Sequence, residues 1–295
     1  MTLFNRLASM VGMTKPAPHI SVTPTAVEPH VLGPVAAPPP ALVPAVSHVR
    51  TGPTIAILNK SSVLTDAEVA KAVAAMQIQV DRDFAPIWEL DATLVFVGGN
   101  LPLPANAWTI YLLDHSDQQG ALGYHDLGTN SLPTAKVFAA DDKQYNLSWT
   151  VTLSHELLEM LLDPYITNTV FVQQTDTTGV LFAYEVCDAV EDDIFAYKIN
   201  DVLVSDFVYP SWFEAFRAQN STQFSYGNHV HSPFEIAQGG YIGYFEVSSS
   251  ASGWQQATGQ TGPGQRLMSK MNRPESRFEK RHTHFYEVKL NKLVK

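Results

Sequence analysis

The residues best suited to metal chemistry in this chain lie within residues 154–164. The polar side chains of this segment fall on one stripe of a predicted helix, because successive helical residues turn by about 100°. They are His155, Glu156, Glu159 and Asp163. His155 and Glu159 have the spacing at which side chains on successive turns can bind one ion. No Lys or Arg occurs in the segment, so the pattern predicts a divalent cation as the counter-charge.

The rest of this helix is apolar, which predicts that the helix is packed on most sides and that its polar stripe is enclosed. The apolar residues are Trp149, Val151, Leu153, Leu157, Leu158, Met160, Leu161 and Leu162. The alternative is a solvated stripe, because Glu favours helices and polar side chains commonly cover the exposed face of an amphipathic helix.

The helix resembles that of the zincin metallopeptidases, which carries the sequence His-Glu-x-x-His. The resemblance covers His155 as the first zinc ligand and Glu156 as the general base, and it implies zinc-dependent hydrolysis of peptide bonds. It departs at Glu159, which stands where the family has its second histidine. A carboxylate can ligate zinc, but it leaves the ion less electron-poor and less able to acidify water. Mn²⁺ and Ca²⁺ are the alternative ions, since both accept oxygen donors.

The upstream elements agree with this resemblance. Residues 54–58 form a predicted strand, and Thr65-Asp-Ala-Glu68 is a capping box that begins a helix ending near Phe84. Further strands are predicted at residues 93–97, 108–113, 121–125 and 135–139. The expected fold class is α/β in the α+β arrangement. It is a zincin-like mixed, twisted sheet with one helix before it, the active-site helix packed on it and a smaller C-terminal subdomain.

The strand two before the active-site helix lies at the sheet edge in the fold that the resemblance implies. In this chain that strand would hold residues 122–126, and an extended peptide or protein substrate could pair with its edge. His125 and Tyr124 on this strand are candidates to stabilise an oxyanion during catalysis. A non-catalytic role with satisfied hydrogen bonds is the alternative for both side chains.

The acidic segment at residues 184–193 is expected to supply the third metal ligand. Glu185 is the first choice, since it follows Glu159 at a distance like that of the third ligand in the zincins that use Glu. Asp188 is either the alternative ligand or an acceptor that orients His155 through its other ring nitrogen. The competing interpretation is an acidic surface turn, including a calcium-binding loop.

Three short sequences also resemble a set of uncharacterised bacterial and phage proteins. They are His-Glu-Leu-Leu-Glu-Met at residues 155–160, Glu-Val-Cys-Asp at 185–188 and Val-Ser-Asp-Phe at 204–207. The likeness spans about residues 120–245. It implies a shared domain and leaves the biological substrate open.

Two further histidine pairs rank below the main cluster as ligands. His229 and His231 alternate along one segment, as do His282 and His284, and such pairs can bind metal from one side of a strand. Neither pair has an acid-rich segment beside it in the sequence, so a polar strand or loop position is the preferred interpretation.

Composition narrows the classes of function. With 295 residues, of which 45% are hydrophobic, the chain can build a real core, and its net charge of −10 argues against general nucleic-acid binding. Cys187 is the only cysteine, which excludes an intramolecular disulfide and favours a cytoplasmic or virion-associated protein. A buried structural role is expected for its thiol, because nearby carboxylates raise its pKa. No signal peptide or membrane span is predicted.

The sequence divides into four predicted regions. Residues 1–14 form a short amphipathic helix that docks on a protein partner, or a terminus without function, and residues 15–53 form a Pro-rich linker. Residues 54–250 form the zincin-like domain, and residues 251–295 form a basic tail, the one segment expected to contact an acidic partner or nucleic acid. This organisation supports a second hypothesis, a non-catalytic structural or binding component of a phage virion or similar assembly.

Overall fold

The computed structural model describes residues 50–99, 101–118, 120–247 and 253–259, which form a mixed α/β structure with three sheets and few helices. The strands are β1 (Thr54–Asn59), β2 (Thr93–Val97), β3 (Trp108–Leu113), β4 (Gly123–Leu127), β5 (Pro133–Phe138), β6 (Thr169–Gln173), β7 (Gly179–Ala183), β8 (Tyr197–Ile199), β9 (Val202–Val204), β10 (Tyr241–Val247) and β11 (Trp254–Thr258). The α-helices are α1 (Asp66–Ile78), α2 (Ala85–Trp88), α3 (Ala139–Gln144) and α4 (Trp149–Leu162).

The first sheet has the strand order β2-β1-β3-β5-β4. Its first four strands are parallel, and β4 pairs antiparallel with β5 at one end of this order. The interior of β1 is buried along its whole length, as expected for a parallel strand covered on both faces. The five predicted strands are therefore confirmed, and β4 lies at the sheet edge as predicted. Both β4 and β5 are shifted by about two residues from their predicted positions, because turn residues blur strand ends in a sequence.

The predicted capping box begins α1. Thr65 Oγ1 accepts from the Glu68 N–H at 3.2 Å, and Glu68 Oε2 accepts from the Thr65 N–H at 2.7 Å. The helix was expected to end near Phe84. Instead α1 changes to a π-helical turn at Gln79–Phe84 and continues as α2, which ends before Glu89 in the left-handed region at φ 55°. The local helix signals cannot distinguish an α-turn from a π-turn, so this change was missed.

The long helix α4 packs against β4, β5 and β9, and residues 153–162 are all buried. This burial confirms the predicted packing of α4 on most sides. One hydrophobic core runs from Ile55 in β1 to Ile242 in β10. The sheet β11-β10-β7-β6 and the hairpin β8-β9 follow α4 in the chain, and they share this core rather than form a separate one.

Several predicted regions fall wholly or partly outside the described residues. Residues 1–14, nearly all of the linker, and the tail beyond residue 259 are among them. The described part of the tail contains β11, which pairs with β10, so the folded domain continues past the predicted boundary at residue 250. None of the helices in the described ranges combines the length and the apolar character needed to cross a membrane.

Candidate metal centre

Three elements bring six ionisable side chains together in the interior. We call them the acid–histidine cluster: His125 from β4, His155, Glu156 and Glu159 from α4, and Glu185 and Asp188 from the segment after β7. None of the six is more than 7% exposed. The interpretation of the helix stripe as a solvated face is therefore wrong. The interpretation of residues 184–193 as an acidic surface turn is wrong for Glu185 and Asp188.

The edge strand β4 can come close to α4 because Gly123 has no side chain. A Cβ at this position would lie 2.8 Å from Thr152 Cγ2 and 2.9 Å from Glu156 Cγ. Alternation along the strand puts His125 on the same face as Gly123. The close approach of β4 to α4 thus carries the His125 ring into the cluster.

Buried hydrogen bonds fix α4 in place at the residue before His155. Ser154 Oγ donates to Gln79 Oε1 at 2.8 Å and accepts from the Ser205 N–H at 3.0 Å. Gln79 in turn donates through Nε2 to the Ser205 carbonyl at 3.0 Å. Gln79 is the first residue of the π-helical turn, so this turn helps to fix the position of α4. Such turns are frequent at functional sites.

The segment after β7 is tied to α4 through Glu159. The Cys187 N–H donates to Glu159 Oε1 at 3.2 Å. The other carboxylate oxygen, Oε2, faces both imidazoles, at 3.1 Å from His155 Nε2 and 4.0 Å from His125 Nδ1. One oxygen of Glu159 is thus positioned by the backbone while the second is directed toward the two histidine rings.

Two carboxylates approach the same nitrogen of His155. His155 Nε2 lies 3.1 Å from Glu159 Oε2 and 3.3 Å from Asp188 Oδ1. Donor atoms held tetrahedrally by one zinc ion at about 2.0–2.1 Å lie about 3.4 Å apart, so each of these two distances matches a pair of ligands on one ion, although Glu159 and Asp188 belong to separate donor groups. The contact of Asp188 with His155 is thus at the same ring nitrogen that Glu159 approaches.

The electrostatics of His155 reflect these neighbours. Burial lowers the pKa of its imidazole, but the charge of Glu159 and the contacts with Asp188 and Glu159 outweigh burial, so the pKa is raised well above its usual value. In the ion-free protein the ring is thus held as a cation. A divalent ion bound at Nε2 would replace that proton, so binding of the ion releases a proton.

His125 is enclosed by carboxylates on both sides of its ring. Nδ1 lies 3.5 Å from Glu156 Oε2 and 4.0 Å from Glu159 Oε2, and Nε2 lies 4.0 Å from Glu185 Oε2. The ring is 1% exposed, and neither nitrogen has a hydrogen-bond partner among the described residues. Burying a polar group without a hydrogen bond is costly. A bound ion is the simplest group that would satisfy this ring.

The donor atoms fall into three overlapping groups, each with its atoms within 4.8 Å of one another. They are His155, Glu159 and Cys187; His125, Glu159 and Glu185; and His155, Asp188 and Glu191. Nitrogen and carboxylate donors in such groups suit Zn²⁺ and also Mn²⁺. Glu185, expected beside His155, is instead grouped with His125. The residues present therefore fit a divalent ion.

Two residues of the predicted site face elsewhere. The Tyr124 hydroxyl donates to Asp117, at 2.9 Å from Oδ1, and strand alternation puts this side chain on the face opposite His125. Asp163 ends α4, where its Oδ1 accepts from the Thr167 N–H at 2.8 Å. The expected contribution of Tyr124 to the site is thus not supported by its position, and Asp163 shapes the turn after the helix.

Cys187 is fully buried, as predicted for a structural thiol. Burial, followed by the charge of Glu159, raises its pKa well above the usual value. The thiol is therefore protonated in the ion-free protein, which argues against a nucleophilic role. Its sulfur nevertheless lies within reach of an ion held by His155 and Glu159.

Sequence reasoning missed two features beside and beyond the cluster. Asp142 is fully buried behind α4, where Thr152 Oγ1 donates to its Oδ1 at 2.9 Å. His229 Nδ1 lies 2.7 Å from Oδ2 of the buried Asp206. Asp142 sits between a second Asp and a Lys in what looks like a solvated helix, and Asp206 is distant from His229 in the sequence, so neither feature left a local signal.

Comparisons of this chain with protein-family models, with curated proteins and with solved structures found no match. The functional interpretation therefore depends on the geometry of the cluster and on the motif residues themselves. Chemically, a buried set of imidazoles and carboxylates around a divalent ion can polarise a carbonyl, activate water or simply hold three elements together.

Proposed function

We propose that this protein is a metal-dependent hydrolase that cleaves peptide bonds. The observation that carries the proposal is the approach of Glu159 and Asp188 to one buried nitrogen of His155, at 3.1 and 3.3 Å. An ion bound to His155 and to carboxylates of the cluster, Zn²⁺ first and Mn²⁺ or Ca²⁺ as alternatives, would supply Lewis-acid chemistry for the hydrolysis. The zincin-like character of the domain is part of this proposal.

Glu156 is the proposed general base. It lies on the same stripe of α4 as the ligands, yet it belongs to none of the donor groups found among the described residues. Its Oε2 lies 3.5 Å from His125 Nδ1, so the carboxylate lies between the ligand stripe of α4 and the ring that β4 carries into the cluster. A carboxylate beside the ion, but not bound to it, can take the proton of the attacking water and pass it to the leaving amine.

The substrate is proposed to be an extended peptide that pairs with β4. This strand ends the order of described strands in the first sheet, and extended peptides bind such positions through backbone hydrogen bonds. His125 projects from β4 toward the cluster, so a peptide paired with β4 would lie near the proposed ion. The position of Tyr124 beside Asp117 leaves His125 as the side chain of this strand nearest the chemistry.

The test is cleavage of a random peptide mixture by the zinc-loaded full chain, followed by mass spectrometry. Glu156→Gln should reduce cleavage by about 10²–10⁴-fold, the usual contribution of a general base, while its zinc content stays equal to that of the unmodified protein. Glu214→Gln, which alters an acid paired with Arg217 outside the cluster, is the matched control. Unchanged cleavage by Glu156→Gln would remove Glu156 from the mechanism.

A second candidate function is favoured by the burial of the cluster. Even its most exposed member, His155, shows only 7% of its surface, and closed sites are typical of structural ions. In this role the domain is a non-catalytic component of a virion or similar assembly, with residues 1–14 docked on a partner protein. Zinc-loaded protein that unfolds at a higher temperature than the ion-free protein, but cleaves none of the peptides, would favour this candidate over the hydrolase.

A further inference from the structure

We propose that the acid–histidine cluster holds two divalent ions, which Glu159 bridges. One ion is bound by His155, Glu159 and Cys187, and the second by His125, Glu159 and Glu185. The inference rests on the metal-binding part of the proposed function. It goes further by assigning a second ion and by changing His125 from an oxyanion stabiliser to a ligand.

The grouping of the donor atoms argues for two ions. The donor groups contain atoms that all lie within 4.8 Å of one another, and among the described residues no group contains both His125 and His155. Two nitrogens bound to a single zinc ion at about 2.0–2.1 Å are at most about 4.2 Å apart. One ion therefore cannot bind both rings in this arrangement, although both rings face the same carboxylate.

Glu159 has the geometry of a bridge. Its Oε1 is held by the Cys187 N–H, and its Oε2 lies 3.1 Å from His155 Nε2 and 4.0 Å from His125 Nδ1. An oxygen placed between two nitrogen ligands can contact an ion on each side. Ions bridged in this way are about 3.5–4 Å apart in two-metal enzymes.

The second site is supported independently by the His125 ring. It is 1% exposed, and neither nitrogen has a hydrogen-bond partner in the part of the chain that the structure describes. Its nearest charged neighbours are Glu156, Glu159 and Glu185. A neutral imidazole so placed offers a lone pair to a cation, whereas an apolar residue of similar size would fill the same space without a buried polar cost.

Each ion would have three protein donors, the number that leaves one position open at catalytic zinc sites. The second imidazole, which the helix lacks because Glu159 replaces histidine, comes from β4 instead. Two ions also suit hydrolysis, since paired ions can stabilise the attacking and the leaving atom together. Glu156, next to His125, remains outside both sets of donors and keeps its proposed role as the base.

The experiment counts ions in the full-length protein. Chelator-treated protein is dialysed against Mn²⁺, and bound manganese is measured by elemental mass spectrometry. The unmodified protein should bind two ions per chain, and the isosteric variant Glu185→Gln should bind one. His125→Ala should also bind one. His229→Ala removes an imidazole that is paired with Asp206 outside the cluster, and it should still bind two.

Electron paramagnetic resonance of the same samples gives a second readout. Two Mn²⁺ ions that share a carboxylate are magnetically coupled, so the spectrum of isolated Mn²⁺ should be suppressed in the unmodified protein and restored in Glu185→Gln. Circular dichroism establishes that each variant is folded. If His125→Ala fails to fold, Glu185→Gln alone decides.

The outcomes separate this inference from the proposed function. One ion per chain, unchanged in Glu185→Gln and lost in His155→Ala, overturns the second site but leaves the hydrolase proposal standing. Two ions that remain in both His125→Ala and Glu185→Gln overturn it as well, because the second ion then lies elsewhere. No bound ion in the unmodified protein overturns the second site together with the proposed function.

Discussion

A single methyl group on the edge strand should disturb the cluster by separating β4 from α4. The Cβ introduced by Gly123→Ala would lie 2.8 Å from Thr152 Cγ2, and 2.9 Å from both Cγ and Oε1 of Glu156. These distances are far inside van der Waals contact. Because Cγ is close to the helix backbone, a rotation at the end of the Glu156 side chain cannot relieve the clash. The strand, the helix or the base itself has to move.

The magnitude follows from two opposing effects. Forcing an extra methyl group into a packed interior costs about 1–3 kcal/mol. Gly123 does not have a positive φ, so alanine also reduces the freedom of the unfolded chain, which returns about 0.4–1 kcal/mol. We therefore expect Gly123→Ala to lower the free energy of unfolding by about 1–2 kcal/mol. The displaced His125 should also bind its ion more weakly.

The assay is urea unfolding of chelator-treated protein, so that stability is measured without bound ions. Gly98→Ala is the control, since the nearest atom to its new Cβ is a ring carbon of Phe96 at 3.2 Å, which can shift. That control should change stability by less than about 0.5 kcal/mol. Thr152→Ser removes Cγ2 but keeps the hydroxyl, so combining it with Gly123→Ala should recover part of the loss.

Two results would refute this reasoning. Equal losses in Gly98→Ala and Gly123→Ala would mean that the cost comes from replacing glycine by alanine in general rather than from the contact with α4. An unchanged unfolding free energy in Gly123→Ala would mean that β4 and α4 are not held at the described distance. In either case the placement of His125 in the cluster would lose its structural basis.

Two further predictions concern buried polar groups around α4. Burial raises the pKa of Asp142 well above its usual value. At a pH above about 3.9, the pKa of this group in the unfolded chain, folding therefore takes up a proton, and the stability of the fold decreases as the pH rises. Asp142→Asn keeps the acceptor for Thr152. It should therefore raise the free energy of unfolding at neutral pH and leave it nearly unchanged below about pH 3.9. If urea titrations gave the same difference in unfolding free energy between the variant and the unmodified protein at every pH, they would contradict this prediction. Ser154→Ala leaves Gln79 Oε1 and the Ser205 N–H without their partner at this position. It should lower the free energy of unfolding by about 1–3 kcal/mol, measured by thermal or urea unfolding. A decrease below about 0.5 kcal/mol would show that these contacts do not hold the helix.

The parts of the fold that were predictable are those whose signals are local. The capping box at Thr65 begins α1 as predicted, because it depends on two residues three positions apart. The apolar residues around His155 and Glu159 predicted a helix buried on most sides, and every residue from 153 to 162 is buried. The strands of the first sheet were found from β-branched and aromatic runs, with errors only at their ends.

The parts that were not predictable depend on distances across the fold. Nothing local indicates that Gln79 opens a π-helical turn or that this turn holds α4 through Ser154. The sequence favoured Glu185 over Asp188 as the ligand beside His155, and only the path of the chain after β7 sends Glu185 toward His125 and Asp188 toward His155. Tyr124 and His125 were both proposed for the site, although neighbouring residues of a strand point to opposite faces, so only one of them could face α4.

The presence of Glu159 at the position of the second histidine of the zincin motif has a physical rationale in the proposed two-ion arrangement. From the helix alone, a carboxylate at this position is a poorer zinc ligand and a loss of nitrogen from the site. Within the fold, the two oxygens of Glu159 act in different directions, one toward the Cys187 N–H and one toward both His125 and His155. An imidazole has a single lone pair when neutral and could not accept the backbone hydrogen bond while facing two cations. A site that draws its second imidazole from β4 therefore needs a carboxylate at the position where the single-ion motif has histidine.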